Sequence, residues 1–258
     1  MVLPTPANSG RLTGGAGIAE LLNMPPTRSA QPRKPDVTPP LRAVAFDLDG
    51  TLVDSAPDIG HALNQALRES GFGSFDLEQV RAWIGDGPDV LIERALQALG
   101  RGEGAQLRTT LRQAFDRTTL GAPLAHGSVF DGIHALLQQL RPGWPLVVVT
   151  NKPSALARAV LDAGALLPHF AAVYGADEAA LRKPAPAMLT RAAQQLGLAP
   201  NQLLMVGDSA ADMGAAVAAG CPAAWAGWGY GGLHGLPAPP RWHVQRPGQL
   251  LDILAEGA

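Results

Sequence analysis

The chain has 258 residues, of which 47% are hydrophobic and 16% charged, and its formal net charge is −2. That is a globular balance, with enough chain for one full core and a small second lobe, and it argues against nucleic acid or an anionic membrane as partner, since both call for concentrated Lys and Arg. The single cysteine, Cys221, excludes an intramolecular disulfide and a Cys-based metal cluster, and no apolar run approaches the roughly 20 residues that span a bilayer, so the cytoplasm is the expected setting.

Residues 1–40 are rich in Pro, Gly, Ala and Thr and lack an apolar h-region, which predicts a disordered extension and no secretory signal. From Leu41 the pattern changes. Residues 42–47 (RAVAFD) are a short apolar run ending in acidic residues and glycine, the signature of a buried strand. Residues 55–71 read as a helix: Ser55 and Asp58 suit a capping box, Ile59, Ala62, Leu63, Ala66 and Leu67 make an apolar stripe, and Gly71 ends it. Asp76 with Gln79 offers a second capping box. Pro88 opens a helix carrying Leu91, Ile92, Ala95 and Leu96, and Leu107, Leu111 and Phe115 mark another. Consecutive helices with no strand between them cannot be one βαβ crossover. Residues 56–122 are therefore expected to be an inserted helical cap, with 41–55 and 123–258 forming the core. Further strands are predicted at 145–150, 170–174, 202–206 and 222–226, and helical patterns lie between them. The alternation points to an α/β fold with a doubly wound, mostly parallel sheet.

Ligands of open α/β sheets bind beyond the carboxyl ends of the strands, so the residues after each predicted strand are the ones to inspect. The first strand is followed by Asp47-Leu48-Asp49-Gly50-Thr51, the second by Thr150-Asn151-Lys152-Pro153, and the fourth by Gly207-Asp208-Ser209-Ala210-Ala211-Asp212; Lys183-Pro184 precedes a helix. Taken singly, an Asp at a strand end is usually a turn former or helix cap, and a Lys before Pro a solvated loop residue. Their convergence suits phosphoryl transfer. Asp47 and Asp49, two apart, can face one locus, where a hard divalent cation must stand between them and a phosphate dianion; Mg²⁺ fits, with Asp208 as a further ligand. Asp47 is the expected nucleophile and Asp49 the acid and base. Thr150 and the Asn151 backbone N–H are expected to hold the transferring oxygens, Lys183 to neutralise them and position Asp47, and Asp212 to orient the metal's waters.

The stretches DLDGTLVD (47–54), Thr150-Asn151, Lys183-Pro184 and GDSAADM (207–213) resemble, in order, the signature motifs of haloacid dehalogenase-like hydrolases. The resemblance implies a Rossmann-like core, an aspartyl-phosphate intermediate, Mg²⁺ and a helical cap after the first motif. Asp49 favours phosphatases over members that cleave carbon–halogen or carbon–phosphorus bonds, and Ile59 stands where β-phosphoglucomutase-like members carry His. DSAPD (54–58), RAWIGDG (81–87) and TNKP (150–153) are similar to bacterial phosphoglycolate phosphatases, which implies 2-phosphoglycolate as substrate. On that reading Arg81 supplies a cation for the substrate carboxylate and Gly85 approaches the substrate closely. Trp228-Gly229-Tyr230-Gly231-Gly232 departs from the Gly-Tyr-Asn turn of such enzymes. The expected partner is thus a small phosphorylated metabolite, with the protein a monomer or homodimer. A broader sugar-phosphate or nucleotide phosphatase, an N-acetylmuramic acid 6-phosphate phosphatase, and a non-catalytic binding member of the fold are the alternatives.

Overall fold

In the computed structural model, which describes residues 40–101 and 104–256, the first element is β1 (Ala43–Phe46), followed by β2 (Val53–Asp54), α1 (Ala56–Glu69), α2 (Leu77–Arg81), α3 (Pro88–Ala98) and α4 (Ala105–Gly121). The chain continues through β3 (Ser128–Val129), α5 (Ile133–Leu140), β4 (Leu146–Thr150), α6 (Ser154–Ala163) and β5 (Ala172–Gly175). It ends with α7 (Ala187–Gln195), β6 (Leu203–Gly207), α8 (Ala210–Ala219), β7 (Ala223–Ala226), β8 (Trp242–Val244) and α9 (Gln249–Glu256). Apart from Pro40, the extension expected over residues 1–40 lies outside the described residues.

Six strands form one parallel sheet in the order β5-β4-β1-β6-β7-β8. Its central strands are unbroken apolar runs, every residue of β1, β4 and β6 being buried, as a sheet covered on both faces requires. Side chains of α5, α6 and α9 pack one face with Val44, Phe46 and Val148, while α7 and α8 pack the other with Ala45, Val147 and Met205. β1 has β4 on one side and β6 on the other, so the crevice at a topological switch point opens at its carboxyl end. That end is where Asp47 sits.

The four helices α1 to α4 share a third apolar cluster, built on Ile59, Leu63, Leu67, Leu91, Ile92 and Phe115, with Leu156 of α6 beneath it. The chain leaves for them and returns through a two-stranded antiparallel ribbon that pairs Val53 with Val129 and Asp54 with Ser128. Asp58 fastens this neck: its carboxylate accepts the Ala125, His126 and Gly127 N–H groups at 2.8, 2.9 and 2.7 Å. The capping box expected of Ser55 and Asp58 is not formed. Ser55 makes no capping hydrogen bond and donates instead to Asp49 Oδ1 at 2.5 Å. Three otherwise orphaned backbone donors on the returning chain are a better use of one carboxylate than one reciprocal bond. Asp76 does cap α2, accepting the Gln79 N–H. No helix among the described residues is long and apolar enough to cross a membrane.

Candidate active site

Asp47 follows the last residue of β1 and is fastened by its own N–H, which donates to Val206 O of β6 at 2.9 Å. Its side chain is almost fully enclosed. Asp47 Oδ1 lies 2.8 Å from Lys183 Nζ, and the same ammonium donates to Asp212 Oδ1 (2.5 Å) and Val149 O (2.9 Å). Asp208, at the end of β6, accepts from Thr51 Oγ1 at 2.9 Å and from the Tyr230 N–H at 2.7 Å. Asp212 Oδ2 accepts from the Ser209 N–H and hydroxyl, closing a capping box on α8. Asp47, Asp208 and Asp212, all buried, bring a carboxylate oxygen each to within 4.8 Å of one another.

Three carboxylates against one ammonium leave the cluster short of positive charge. Burial, then Asp212, push the Asp47 carboxyl up to about 7 against the pull of Lys183, with Asp208 adding to the rise. Burial and Asp212 likewise push Asp208 up to about 6, against the Tyr230 N–H and Thr51 hydroxyl. Burial opposes the charge on Lys183, but Asp212 and Asp47 outweigh it and hold the ammonium protonated above its ordinary range. Three buried carboxylates that converge in this way, two of them with raised carboxyls, are a donor set fitted to a hard divalent cation, which takes oxygen ligands and supplies the missing charge.

Asp49 goes elsewhere. The sequence expectation sets its carboxylate beside that of Asp47 as a metal ligand, by the alternation of strand side chains. β1 ends at Phe46, and the chain turns at once through Gly50 (φ +86°), so the two-residue repeat no longer applies. The Asp49 carboxylate instead receives both Lys152 Nζ contacts, at 2.9 and 3.0 Å, and the Ser55 hydroxyl. Asp212 therefore takes the third place in the acidic cluster. Asp47 and Asp49 still line one cleft, together with Thr150, Asn151, Lys152 and Gly85. Asn151 knits the site together through its side chain: the amide donates to Gly85 O (2.9 Å) and Lys183 O (3.1 Å) and accepts the Lys183 N–H (2.7 Å). This brings Gly85, from the loop between α2 and α3, against the core. Arg81 stands aside. Its guanidinium is 3.7 Å from Asp54 and 5.2 Å above the Tyr230 ring, and it lines an adjoining cleft with Asp49, Asp208 and Tyr230.

The segment after β7, whose composition gave no role, wraps the first acidic loop. Trp228 Nε1 donates to Thr51 O, the Tyr230 N–H holds Asp208, and the Tyr230 hydroxyl donates to Asp54 while accepting the Ala56 N–H. Gly229 is required by closeness, since a Cβ there would fall 2.3 Å from Asp208 Cβ and 2.4 Å from Gly50 O. The density of Trp, Tyr and Gly was the available signal, but nothing in it named the partners. A second link crosses the cleft: Asp89 at the start of α3 accepts from Arg182, next to Lys183, and from Arg112 of α4.

The chain is similar in sequence and in fold to known proteins. A phosphoglycolate phosphatase from Yersinia pseudotuberculosis is 40% identical over 191 residues, covering 74% of this chain and 82% of the relative. One from Escherichia coli K12 is 39% identical over 209 residues at the same coverage. Among solved structures, a predicted phosphoglycolate phosphatase from Haemophilus somnus 129PT superposes with a TM-score of 0.74 at 29% identity, over 83% of this chain and 97% of that one. The family model described as haloacid dehalogenase-like hydrolase matches residues 41–220. The chain belongs to the haloacid dehalogenase-like hydrolase family.

Proposed function

We propose that the protein is a Mg²⁺-dependent phosphatase that hydrolyses 2-phosphoglycolate through a phosphorylated Asp47. The observation that carries the reading is the buried cluster at the end of β1, where Asp47, beside Lys183, Asp208 and Asp212, lines a cleft shared with Asp49. Relatives named phosphoglycolate phosphatase, at 40% and 39% identity, support the substrate. Bound among Asp47, Asp208 and Asp212, Mg²⁺ supplies the positive charge that lets a phosphate dianion approach carboxylates.

The side chains divide the work. An Asp47 oxygen attacks phosphorus, and the phosphorus–ester oxygen bond breaks. Asp49 gives the departing alkoxide its proton, then takes one from the water that attacks phospho-Asp47, which regenerates the carboxylate and releases inorganic phosphate. Lys183, fixed by Asp212 and Val149 O, holds Asp47 in place and offsets charge on the transferring oxygens. Thr150, at the end of β4 and lining the cleft, is placed to donate to the same oxygens. Helices α1 to α4, with Gly85 at their inner edge, act as a cap (residues 56–122) that limits water while Asp47 carries the phosphoryl group. The cytoplasm is the proposed setting, in keeping with a single buried cysteine.

Phosphate release from 2-phosphoglycolate, measured beside other small phosphate esters with Mg²⁺ and with EDTA, tests this. Strong Mg²⁺-dependent preference for phosphoglycolate is expected. Equal turnover of unrelated esters would discard the substrate and keep the chemistry, and no turnover of any ester would discard both.

Stability gives an independent check on the metal. In chelated protein, the folded-state carboxyls of Asp47 and Asp208 stand at about 7 and about 6, above their ordinary 3.8. Above pH 3.8, where the unfolded carboxyls ionise, the folded state holds more protons than the unfolded chain. Stability is therefore fullest below that pH and falls as pH rises, the loss being complete once pH passes the folded values of about 6 and about 7. Mg²⁺ removes the cause of the loss. The expected result is a Mg²⁺-induced rise in melting temperature several degrees larger at pH 8 than at pH 5.5, read by thermal denaturation with and without EDTA. An equal rise at both values would mean that the cation binds elsewhere.

A further inference from the structure

Lys152 is the one buried charged group in the cleft that the reaction above leaves without a task. Its side chain is 5% exposed, and enclosing an ammonium to that degree costs several kcal/mol unless it is well used. Two of its protons are spent on the Asp49 oxygens, and among the described residues it has no other acceptor. One donor is left over. Lys152 also lines the cleft that holds Asp47, whereas Arg81 lines the adjoining one. The helical lobe adds no hydroxyl or amide side chain to the lining of this cleft: its side chains there are those of Ile59, Ile84, Pro88, Leu91 and Phe115. Such side chains leave sugar hydroxyls unpaired, while the low-dielectric surroundings strengthen the attraction of the ammonium for an anion.

We propose that Lys152 is the specificity-determining residue of the site: it binds a second, carboxylate anion on the substrate and in doing so gives up its hold on Asp49. The inference rests on the phosphatase reading above and extends it. With the cleft empty, the ammonium keeps both oxygens of Asp49 occupied as hydrogen-bond acceptors. A substrate carboxylate competes for the same protons. As the ammonium turns toward it, an Asp49 oxygen is released from its ion pair. An ester without the second anion leaves Asp49 paired. Recognition of the substrate and the freeing of Asp49 are thus joined through one side chain.

The test is a ratio, because a merely structural role for Lys152 lowers all activities together. The value of kcat/KM would be measured for 2-phosphoglycolate, for its carboxylated homologue one carbon longer, and for ethyl phosphate, in the wild type and in Lys152→Gln. Lys152→Met serves if the first variant fails to fold, with melting curves as the check. The wild type is expected to favour the carboxylated esters, and the variant to lose that preference by about 10- to 100-fold, the worth of a charged hydrogen bond. A wild type that prefers the longer homologue would sink 2-phosphoglycolate as the substrate, while a collapse of its ratio in the variant still supports Lys152. A wild type indifferent to the carboxylate, or a folded variant that keeps the wild-type ratio, overturns the assignment.

Discussion

Asp47→Asn is expected to give a folded protein whose phosphatase activity is lower by about 10⁴-fold or more, since removal of a nucleophile that cannot be replaced costs on that order. The amide has the size of the carboxylate but cannot form a mixed anhydride with phosphate. The fold should tolerate it well, and for a specific reason. The surroundings of Asp47 disfavour its charge, which is why burial and Asp212 lift its carboxyl to about 7. A neutral side chain relieves that conflict, and Lys183 keeps its bonds to Asp212 and Val149 O. The melting temperature of chelated Asp47→Asn should therefore equal or exceed that of the chelated wild type at pH 8, with the difference shrinking toward pH 5. Phosphate release and acid-quenched labelling of the chain are the measurements. Residual activity within tenfold of the wild type, or covalent label persisting in the variant, would remove Asp47 from the nucleophile's place.

How far the site could be read in advance depended on where regular structure stops. Asp47 and Asp208 were legible because each directly follows a buried apolar strand, β1 or β6, and strand ends are where an α/β sheet presents its ligands. Lys183 was legible as a lysine in the loop between a strand and the next helix, but nothing in an Arg-Lys-Pro loop announces a side chain 1% exposed between two aspartates. Asp49 lines the same cleft as Asp47, as expected, but its carboxylate turns to Lys152 and Ser55, because the strand's alternation does not run past β1. Lys152 was visible in the Thr150-Asn151-Lys152-Pro153 strand end, but its pairing with Asp49 joins positions 103 residues apart, and no local pattern encodes that. The same holds for the fold. Apolar runs and stripes marked the main strands and the cap helices, whereas the β2–β3 ribbon, two residues on each side, is too short to carry a periodicity. Asp58 looked like a helix cap because capping signals are local, and its true partners, at 125–127, return from the far side of the helical lobe.

Lys183→Met should do what Asp47→Asn does not: it should damage activity and stability together. The ammonium lies 2.8 Å from Asp47 and 2.5 Å from Asp212, and it is the cation among three buried carboxylates. Breaking a buried pair by removing one partner leaves the other charge uncompensated, at a cost of about 3–5 kcal/mol. For a chain of this size that corresponds to a fall in melting temperature of roughly 10 °C. The fall should be larger at pH 8 than at pH 5.5, because the carboxyls left behind take up protons as pH drops and the repulsion fades. Activity should fall about 10³-fold or more, the usual consequence of losing a preorganised charge at the transferring group. A double-variant cycle separates the causes. Adding Asp212→Asn to Lys183→Met removes one of the stranded charges, so it should recover part of the lost stability and none of the activity. Stability unaffected by Lys183→Met at pH 8 would mean that the acidic cluster is balanced by something other than this lysine. Recovery of turnover in the double variant would mean that Lys183 acts only by holding Asp212, with no hand in the transfer itself.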